Sequence, residues 1–164
     1  MKKLNIYLDT SVINHLFADD APEAKLLTIE LFDKYIKTKK YNTYISPIVL
    51  TEINQTENED KKVKLISVIK DYDLRILDIE TNKNDIEFIA QEYIEQGILP
   101  RKSLMDALHI AVCTYYQIDA LISWNYKHMA NINRERKVIS WNIGEGYTHN
   151  MRICTPMEVI YENE

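Results

Sequence analysis

The stretch Leu4-Asn5-Ile6-Tyr7-Leu8-Asp9-Thr10-Ser11 changes character in its middle, and that change decides the fold. Leu4 to Leu8 is a short apolar run rich in strand formers, so it predicts a strand that ends at Asp9. Asp9-Thr10-Ser11 carries helix-capping side chains, and Val12 to Phe17 predicts a short helix. A strand that leads directly into a helix is the opening unit of an α/β fold.

The same alternation continues along the chain. Further strands are predicted at Thr43 to Ile45, at Leu74 to Leu77, at Ala120 to Ser123 and in a run that closes at Ile153. Helices are predicted from Pro22 to about Lys40, after the Ser46-Pro47 cap, and from Val63 to Ile69. A further helix is predicted from Asn82 to Gln96, with Gly97 as its left-handed stop. The last two are predicted from Leu104 to Tyr116, with Ser103 and Asp106 as a capping box, and after the capping box Thr155-Pro156-Met157-Glu158. We therefore expect an α/β fold with three layers: a mostly parallel central sheet of about five strands, flanked by helices. With no repeat, linker or internal boundary in the pattern, residues 1–164 are expected to form a single domain.

Composition limits the classes of function. The chain has 25 acidic and 20 basic residues, a formal charge of −5, which is unfavourable for a stable duplex binder. An enzyme that contacts RNA briefly through a local basic rim remains compatible with that charge. Cys113 and Cys154 form no CxxC pair and are predicted to be small buried side chains in a reducing compartment.

The start of the chain is not typical of a signal peptide, because Asp9 interrupts the first apolar stretch. No run approaches the roughly 18 apolar residues that a membrane span needs. We expect a cytoplasmic protein that does not associate with membranes.

Four polar side chains occupy positions where a parallel sheet binds ligands, at the carboxyl ends of its strands. Asp9 and Asn125 follow the first and fourth predicted strands, Glu52 lies in the helix after the second, and Asp106 lies in the first turn of the long helix. Oxygen ligands from separate elements are typical of Mg²⁺ or Mn²⁺ sites. Each residue also has a structural interpretation: Asp9 as a cap, Glu52 as a solvated helix residue, Asp106 as a dipole acid and Asn125 as a turn residue.

Four segments resemble, in order, the conserved blocks of the PIN-domain family, to which VapC-type toxins belong. They are Ile6-Tyr7-Leu8-Asp9-Thr10-Ser11-Val12-Ile13, Ser46-Pro47-Ile48-Val49-Leu50-Thr51-Glu52-Ile53, Asp106-Ala107-Leu108-His109-Ile110-Ala111 and Ala120-Leu121-Ile122-Ser123-Trp124-Asn125. The closing Ile153-Cys154-Thr155-Pro156-Met157-Glu158 resembles the end of one PIN subgroup. Each motif is short, but four in the right order and spacing are fairly specific.

The resemblance implies a Rossmann-like PIN fold and a metal-dependent endoribonuclease that hydrolyses RNA with Mg²⁺ or Mn²⁺. It matches Asp9, Glu52 and Asp106 to the three principal acids, which hold the metal and act in catalysis, and Asn125 to the fourth catalytic position, often Asp in relatives. His128 stands where many relatives have a further acid. A VapC-like toxin would be a homodimer controlled by a small antitoxin protein.

A second group of residues is predicted to bind the RNA substrate at the edge of the site. Its members are Thr10, Ser11, Arg101, Lys102, Lys127 and His128. Helix capping for the first two and solvated loop charge for the others explain them about as well. We interpret His109 as a hydrogen-bonded core histidine within reach of the acids, Trp124 as a packing residue or a base-stacking platform, and the run Arg134, Arg136, Lys137 as surface charge.

Other functions account for the pattern less well. A haloacid-dehalogenase-like phosphatase needs a second acid two residues after the first, where this chain has Ser11. A receiver domain has a phosphate-accepting Asp after its third strand, as Asp78 is here, but Asn5 and Asp9 make a poor acidic pair. The alternative that stays open is a catalytically silent PIN-like module that binds RNA or a protein partner, which Asn125 and the acidic charge both allow.

Overall fold

A five-stranded sheet forms the centre of the computed structural model, which describes residues 2–160. The strands are β1 (Asn5–Leu8), β2 (Asn42–Ile45), β3 (Arg75–Ile76), β4 (Ala120–Ile122) and β5 (Arg152–Cys154). Every pairing is parallel, and the order is β3-β2-β1-β4-β5. The predicted sheet is therefore confirmed, and it is parallel throughout. β1 is central, so the chain crosses from one half of the sheet to the other beside it, where such sheets bind ligands.

Seven α-helices flank the sheet within the described residues. They are α1 (Thr10–His15), α2 (Pro22–Glu30), α3 (Pro47–Asn54), α4 (Glu59–Asp71), α5 (Lys83–Glu95), α6 (Leu104–Tyr115) and α7 (Ile132–Gly144). Asp9 and Ser46 accept hydrogen bonds from the first turns of α1 and α3, as predicted. Gly97 ends the α5 region with a φ of +70°, the left-handed conformation that favours glycine. Cys113 and Cys154 are buried and free.

The structure corrects several predicted elements. The predicted helix from Pro22 to Lys40 is α2 followed by a wider π-helical segment, Leu31–Ile36, in which the Lys37 amide donates to Phe32 O over 2.8 Å. Ser103 makes no side-chain capping bond, because a 3₁₀ turn over Arg101–Ser103 already leads into α6. The capping box at Thr155 and Glu158 forms, but it opens a single 3₁₀ turn, Pro156–Glu158; the chain after Ile160 lies outside the described residues.

Two helices add to the predicted pattern. α7 was not predicted, and its N-cap is Asn131, whose side chain accepts from Arg134 N at 2.9 Å. The predicted helix from Val63 to Ile69 is part of α4 and is buried on one side only: Leu65 is fully buried while Val63 is 64% exposed. Within residues 2–160, no helix has both the length and the apolar composition that crossing a membrane requires.

The buried core holds the carboxyl end of β1, from which the predicted site residues follow, in a fixed position. Ile6, Tyr7 and Leu8 of β1 are completely buried. The ladder continues past the strand end, since Asp9 N donates to Ile122 O at 3.1 Å. The backbone of Asp9 is thus held as firmly as that of the strand, and the polar residues that follow β1 and β4 are brought side by side.

Candidate functional site

A cavity of about 310 Å³ opens at the carboxyl ends of β1 and β4. It is lined by oxygen- and nitrogen-bearing side chains from α1, α3, α6 and the loop after β4: Asp9, Thr10, Ser11, Asn14, Glu52, Gln55, Asp106, His109 and Asn125. The four residues predicted to be catalytic therefore meet in one place, although they are spread over more than a hundred positions of the chain. Asn14, Gln55 and His109 join them without having been predicted as site residues.

Asp9 is the most enclosed of the acids, with 4% of its surface exposed. Its Oδ1 accepts hydrogen bonds from Ser11 Oγ at 2.5 Å and from Val12 N at 3.4 Å. Burial raises the pKa of Asp9, and the electrostatic effect of the nearby His109 and the hydrogen bond from the Ser11 hydroxyl oppose that rise. Asp9 thus caps α1 and lines the cavity at the same time.

Glu52 projects from α3 and is held through a single oxygen. Its Oε1 accepts from Thr10 Oγ1 at 2.8 Å and contacts His109 Nε2 at 2.5 Å. Burial acts to raise the pKa of Glu52, but His109 and Thr10 outweigh it, so the pKa lies below the ordinary value. The side chain is 28% exposed, and its Oε2 has no hydrogen bond within the described chain.

Asp106 is different, because its carboxylate accepts no hydrogen bond from any described residue. It lies in the first turn of α6, where the helix dipole favours negative charge. Burial raises its pKa, and the negative charges of Asp9 and Glu52 raise it further, while His109 and His128 lower it. A half-buried carboxylate without a donor is costly. This is the side chain at the site that most needs a cation.

Asn125 serves the turn that follows β4. Its Oδ1 accepts from His128 N at 3.1 Å, and its backbone carbonyl accepts from Met129 N and Ala130 N, both at 2.9 Å. Ser123 Oγ accepts from Asn125 N at 3.0 Å. The side chain still lines the cavity, so the turn role and the site role predicted for this residue are combined.

The residues predicted to bind substrate do not all lie at this cavity. Thr10 and Ser11 line it, but their hydroxyls donate to Glu52 and Asp9. Arg101 lines a separate cavity of about 490 Å³, and neither Lys102 nor Lys127 lines the acidic one.

A cation of α7, Arg134, lies near enough to Asp106 for their charges to interact. Arg134 Nε donates to His128 O at 2.9 Å. Burial lowers the pKa of Arg134, and the negative charge of Asp106 raises it, so the two charges interact. Arg134 was passed over as surface charge because α7 itself was not predicted.

The structure also decides between the interpretations given for His109 and Trp124. His109 is 1% exposed and contacts both Tyr7 and Glu52, so it is a hydrogen-bonded core histidine and a neighbour of the acids. Trp124 Nε1 donates to Thr28 Oγ1 at 2.8 Å, which favours the packing interpretation.

The donor set suits a hard divalent cation, since carboxylate, amide and hydroxyl oxygens dominate it. In the structure as described for residues 2–160, however, no three His, Cys, Asp or Glu side chains converge closely enough to hold a metal ion. Asp9 and Glu52 are instead bonded to protein donors, whereas Asp106 and Glu52 Oε2 are left without one. The residues fit a cation by chemistry, and binding it requires the carboxylates to draw together.

The chain is similar to a known family in sequence and to a solved structure in fold. The family model described as PIN domain matches residues 6–134. The search of curated proteins finds no match. A chain of the crystal structure of VapBC2 from Rickettsia felis, bound to a DNA fragment from their promoter, superposes with a TM-score of 0.57 at 17% sequence identity, covering 93% of this chain and 98% of that chain. At that identity the similarity is one of fold.

Proposed function

The chain belongs to the PIN domain family, and from that premise we propose that it is a metal-dependent endoribonuclease acting as a VapC-like toxin. PIN domains are generally nucleases, and they generally use divalent metal ions. One observation carries the proposal for this chain. Acids from three separate elements and an amide from a fourth line the same cavity at the carboxyl edge of the sheet.

Asp9, Glu52 and Asp106 are the residues that would hold Mg²⁺ or Mn²⁺, whose contribution at such a site is to lower the pKa of a bound water and offset charge on the phosphate. The protein's own part is positioning. Ser11 holds Asp9, and Thr10 and His109 hold Glu52, so two of the acids have fixed orientations. Asn125 keeps its amide N–H groups for a water or a phosphate oxygen.

The proposed substrate is RNA, bound through phosphates. Arg134 supplies positive charge near Asp106. Arg101, Lys102 and Lys127 remain proposed contacts for nucleotides beyond the cleaved bond. The net charge of −5 does not oppose this, because an enzyme needs only local positive charge along the substrate path.

Regulation by a small antitoxin, a homodimeric state and a cytoplasmic location belong to the same proposal. Their support is the fold shared with a chain of the VapBC2 structure. Co-purification of the chain with the product of an adjacent small reading frame, and a dimer by light scattering, are the observations that test them.

The alternative is a silent PIN-like module that binds RNA or a protein partner. Two observations favour it over an active enzyme: the acids have not converged on a metal geometry, and Asn125 stands at a position that is often Asp in relatives. Purified protein incubated with a mixed RNA pool in Mn²⁺, Mg²⁺ or EDTA separates the two functions.

Asp106→Asn is the inactive variant of choice for that experiment, because the Asp106 side chain has no hydrogen bond with residues 2–160 whose loss would disturb the fold. Asp20→Asn, at an exposed position without a hydrogen bond from its side chain among residues 2–160, is the matched control. We expect metal-dependent cleavage by the wild type and by Asp20→Asn, and none by Asp106→Asn. Absence of cleavage by folded protein freed of any antitoxin, in every metal, would contradict the enzyme and favour the silent module.

A further inference from the structure

A line of hydrogen bonds runs from the core to Glu52. Tyr7 Oη lies 2.7 Å from Ser46 Oγ on one side and 2.7 Å from His109 Nδ1 on the other. His109 Nε2 lies 2.5 Å from Glu52 Oε1. We refer to Ser46, Tyr7, His109 and Glu52 as the relay. Ser46, Tyr7 and His109 are each at most 1% exposed, so the contacts are direct and shielded from solvent.

The relay connects elements that are distant in sequence. Tyr7 is in the central strand β1, Ser46 is the cap of α3, and His109 is in α6 one turn after Asp106. Glu52 returns to α3, so the line begins and ends on the same helix. α3 and α6 carry two of the three acids of the site, and the relay therefore fixes those acids relative to the sheet.

One assignment of donors satisfies every contact of the relay with a neutral His109 and an ionised Glu52. In that assignment Ser46 Oγ accepts from Ile48 N at 3.3 Å and donates its own proton to Tyr7 Oη. The Tyr7 hydroxyl has a single proton, which it then donates to His109 Nδ1. With Nδ1 an acceptor, the neutral ring carries its proton on Nε2 and donates to Glu52.

The carboxylate of Glu52 is consequently held on one side only. Thr10 Oγ1 donates to the same Oε1 over 2.8 Å, so that oxygen has two donors. The other oxygen has none among the described residues, and the Glu52 side chain lines the cavity. An acid fixed through one oxygen presents the second in a defined direction.

We propose that His109, held by Tyr7 with its proton on Nε2, is a positioning residue that binds Oε1 of Glu52 and leaves Oε2 for the divalent cation. The inference rests on the proposed function, since it assigns a role toward the metal of that same site. Histidines and other polar groups that orient metal ligands typically alter metal affinity about 10–100-fold when removed.

The competing explanation is that Tyr7 and His109 are simply well-packed core residues. Tyr7→Phe separates the two, because it keeps the ring and removes the hydroxyl that directs His109. Tyr93→Phe is the matched control: Tyr93 is equally buried and its hydroxyl has two partners, but these are Thr114 and Asn142, away from the cavity. Any general effect of deleting a buried hydroxyl appears in both variants.

The first measurement is Mn²⁺ affinity of the full chain by isothermal titration calorimetry. We expect Tyr7→Phe to weaken Mn²⁺ binding about 10-fold or more and Tyr93→Phe to leave it within about twofold of the wild type. His109→Gln, which keeps a donor near the position of Nε2, is expected to bind Mn²⁺ more tightly than His109→Leu. Wild-type affinity in folded Tyr7→Phe, or equal affinities of the Gln and Leu variants, would overturn the inference.

The second measurement needs no metal. The ¹⁵N chemical shifts of His109 in metal-free protein are expected to show a protonated Nε2 and an unprotonated Nδ1 at neutral pH, and a mixture of tautomers in Tyr7→Phe. A protonated Nδ1 in the wild type contradicts the relay whatever the metal result. Failure of the wild type to bind Mn²⁺ while the shifts are as expected contradicts the proposed function and, with it, the role toward the cation, but leaves the relay itself intact.

Discussion

Asp106→Asn is expected to make the metal-free protein more stable, whereas Glu52→Gln is expected to make it less stable. Both replace a site carboxylate by its amide, so size and shape are conserved. The difference lies in the partners. Asp106 has no hydrogen-bond donor within residues 2–160, while Glu52 Oε1 has Thr10 and His109 at 2.8 and 2.5 Å.

The directions of the two pKa shifts determine whether each substitution raises or lowers stability, and over which pH range. Burial and the neighbouring acids raise the pKa of Asp106, so the folded protein binds this proton more tightly than the unfolded chain does. The cost of ionising Asp106 is therefore absent in acid, develops as pH rises from the ordinary carboxyl range through the folded pKa, and is complete at neutral pH. Glu52, whose pKa is lowered, stabilises the fold above its ordinary pKa and loses that contribution as pH falls through the folded pKa.

The size of the stability change in Asp106→Asn depends on how deeply the carboxylate is buried. A half-buried, unpaired carboxylate costs on the order of 1 kcal/mol, well below the penalty for a fully buried one. For a domain of this size that corresponds to a rise in Tm of about 2–4 °C for Asp106→Asn. Loss of charge-assisted hydrogen bonds in Glu52→Gln is expected to cost about 0.5–1 kcal/mol.

Thermal and urea unfolding in EDTA at neutral pH and near pH 4 are the assays, with Asp20→Asn as the surface control. Mg²⁺ at about ten times its Kd should then stabilise the wild type by about 1.4 kcal/mol and should add little to Asp106→Asn. The reasoning is refuted if Asp106→Asn is less stable than the wild type in EDTA at neutral pH and the stability difference does not shrink in acid. That result would show that a protein partner, and not a missing cation, determines the stability of the Asp106 carboxylate.

Three further outcomes are expected from single contacts. Tyr93→Phe removes a hydroxyl that bonds Thr114 at 2.8 Å and Asn142 at 2.6 Å, and urea unfolding should show a loss of about 2 kcal/mol because Asn142 Oδ1 stays buried. Gly97→Ala should cost about 1 kcal/mol by the same method, since φ is +70° while the space around it is open, so that strain and not a clash is measured. Arg134→Gln in the Asp106→Asn background should weaken RNA binding in fluorescence anisotropy and reduce the salt dependence by about one phosphate contact; an unchanged salt slope would assign Arg134 to structure alone.

The elements that the sequence predicts well are those whose signals are local. The end of β1 and the start of α1 are encoded by neighbouring residues, because an apolar run stops at Asp9 and the Asp9 side chain caps α1. The same holds for Ser46 before α3. Alternation of such units determines a parallel sheet, and its carboxyl edge then brings Asp9, Glu52 and Asp106 together without knowledge of the packing.

Elements stabilised mainly by distant partners were missed or misjudged. α7 buries only two of its side chains, Val138 and Asn142, and Asn142 is buried because Tyr93 and Thr114 complete its hydrogen bonds. Arg134 lies on α7, so its position near Asp106 was not predicted either. The relay is a similar case, because Tyr7 and His109 are 102 residues apart and only the register of β1 against α6 brings them into contact.

Total charge is the wrong quantity for judging whether this chain binds RNA. The charge of −5 includes Asp9 and Glu52, whose pairing with Ser11, Thr10 and His109 reduces their effect on an approaching phosphate. Asp106 accepts no such hydrogen bond from residues 2–160, and its negative charge acts on the nearby Arg134. Asp106 is therefore the acid of the site whose charge is least offset by hydrogen bonds from the protein. Neutralising that carboxylate, by a divalent cation or by Asp106→Asn, makes the local potential less negative while leaving the rest of the acidic surface as it was.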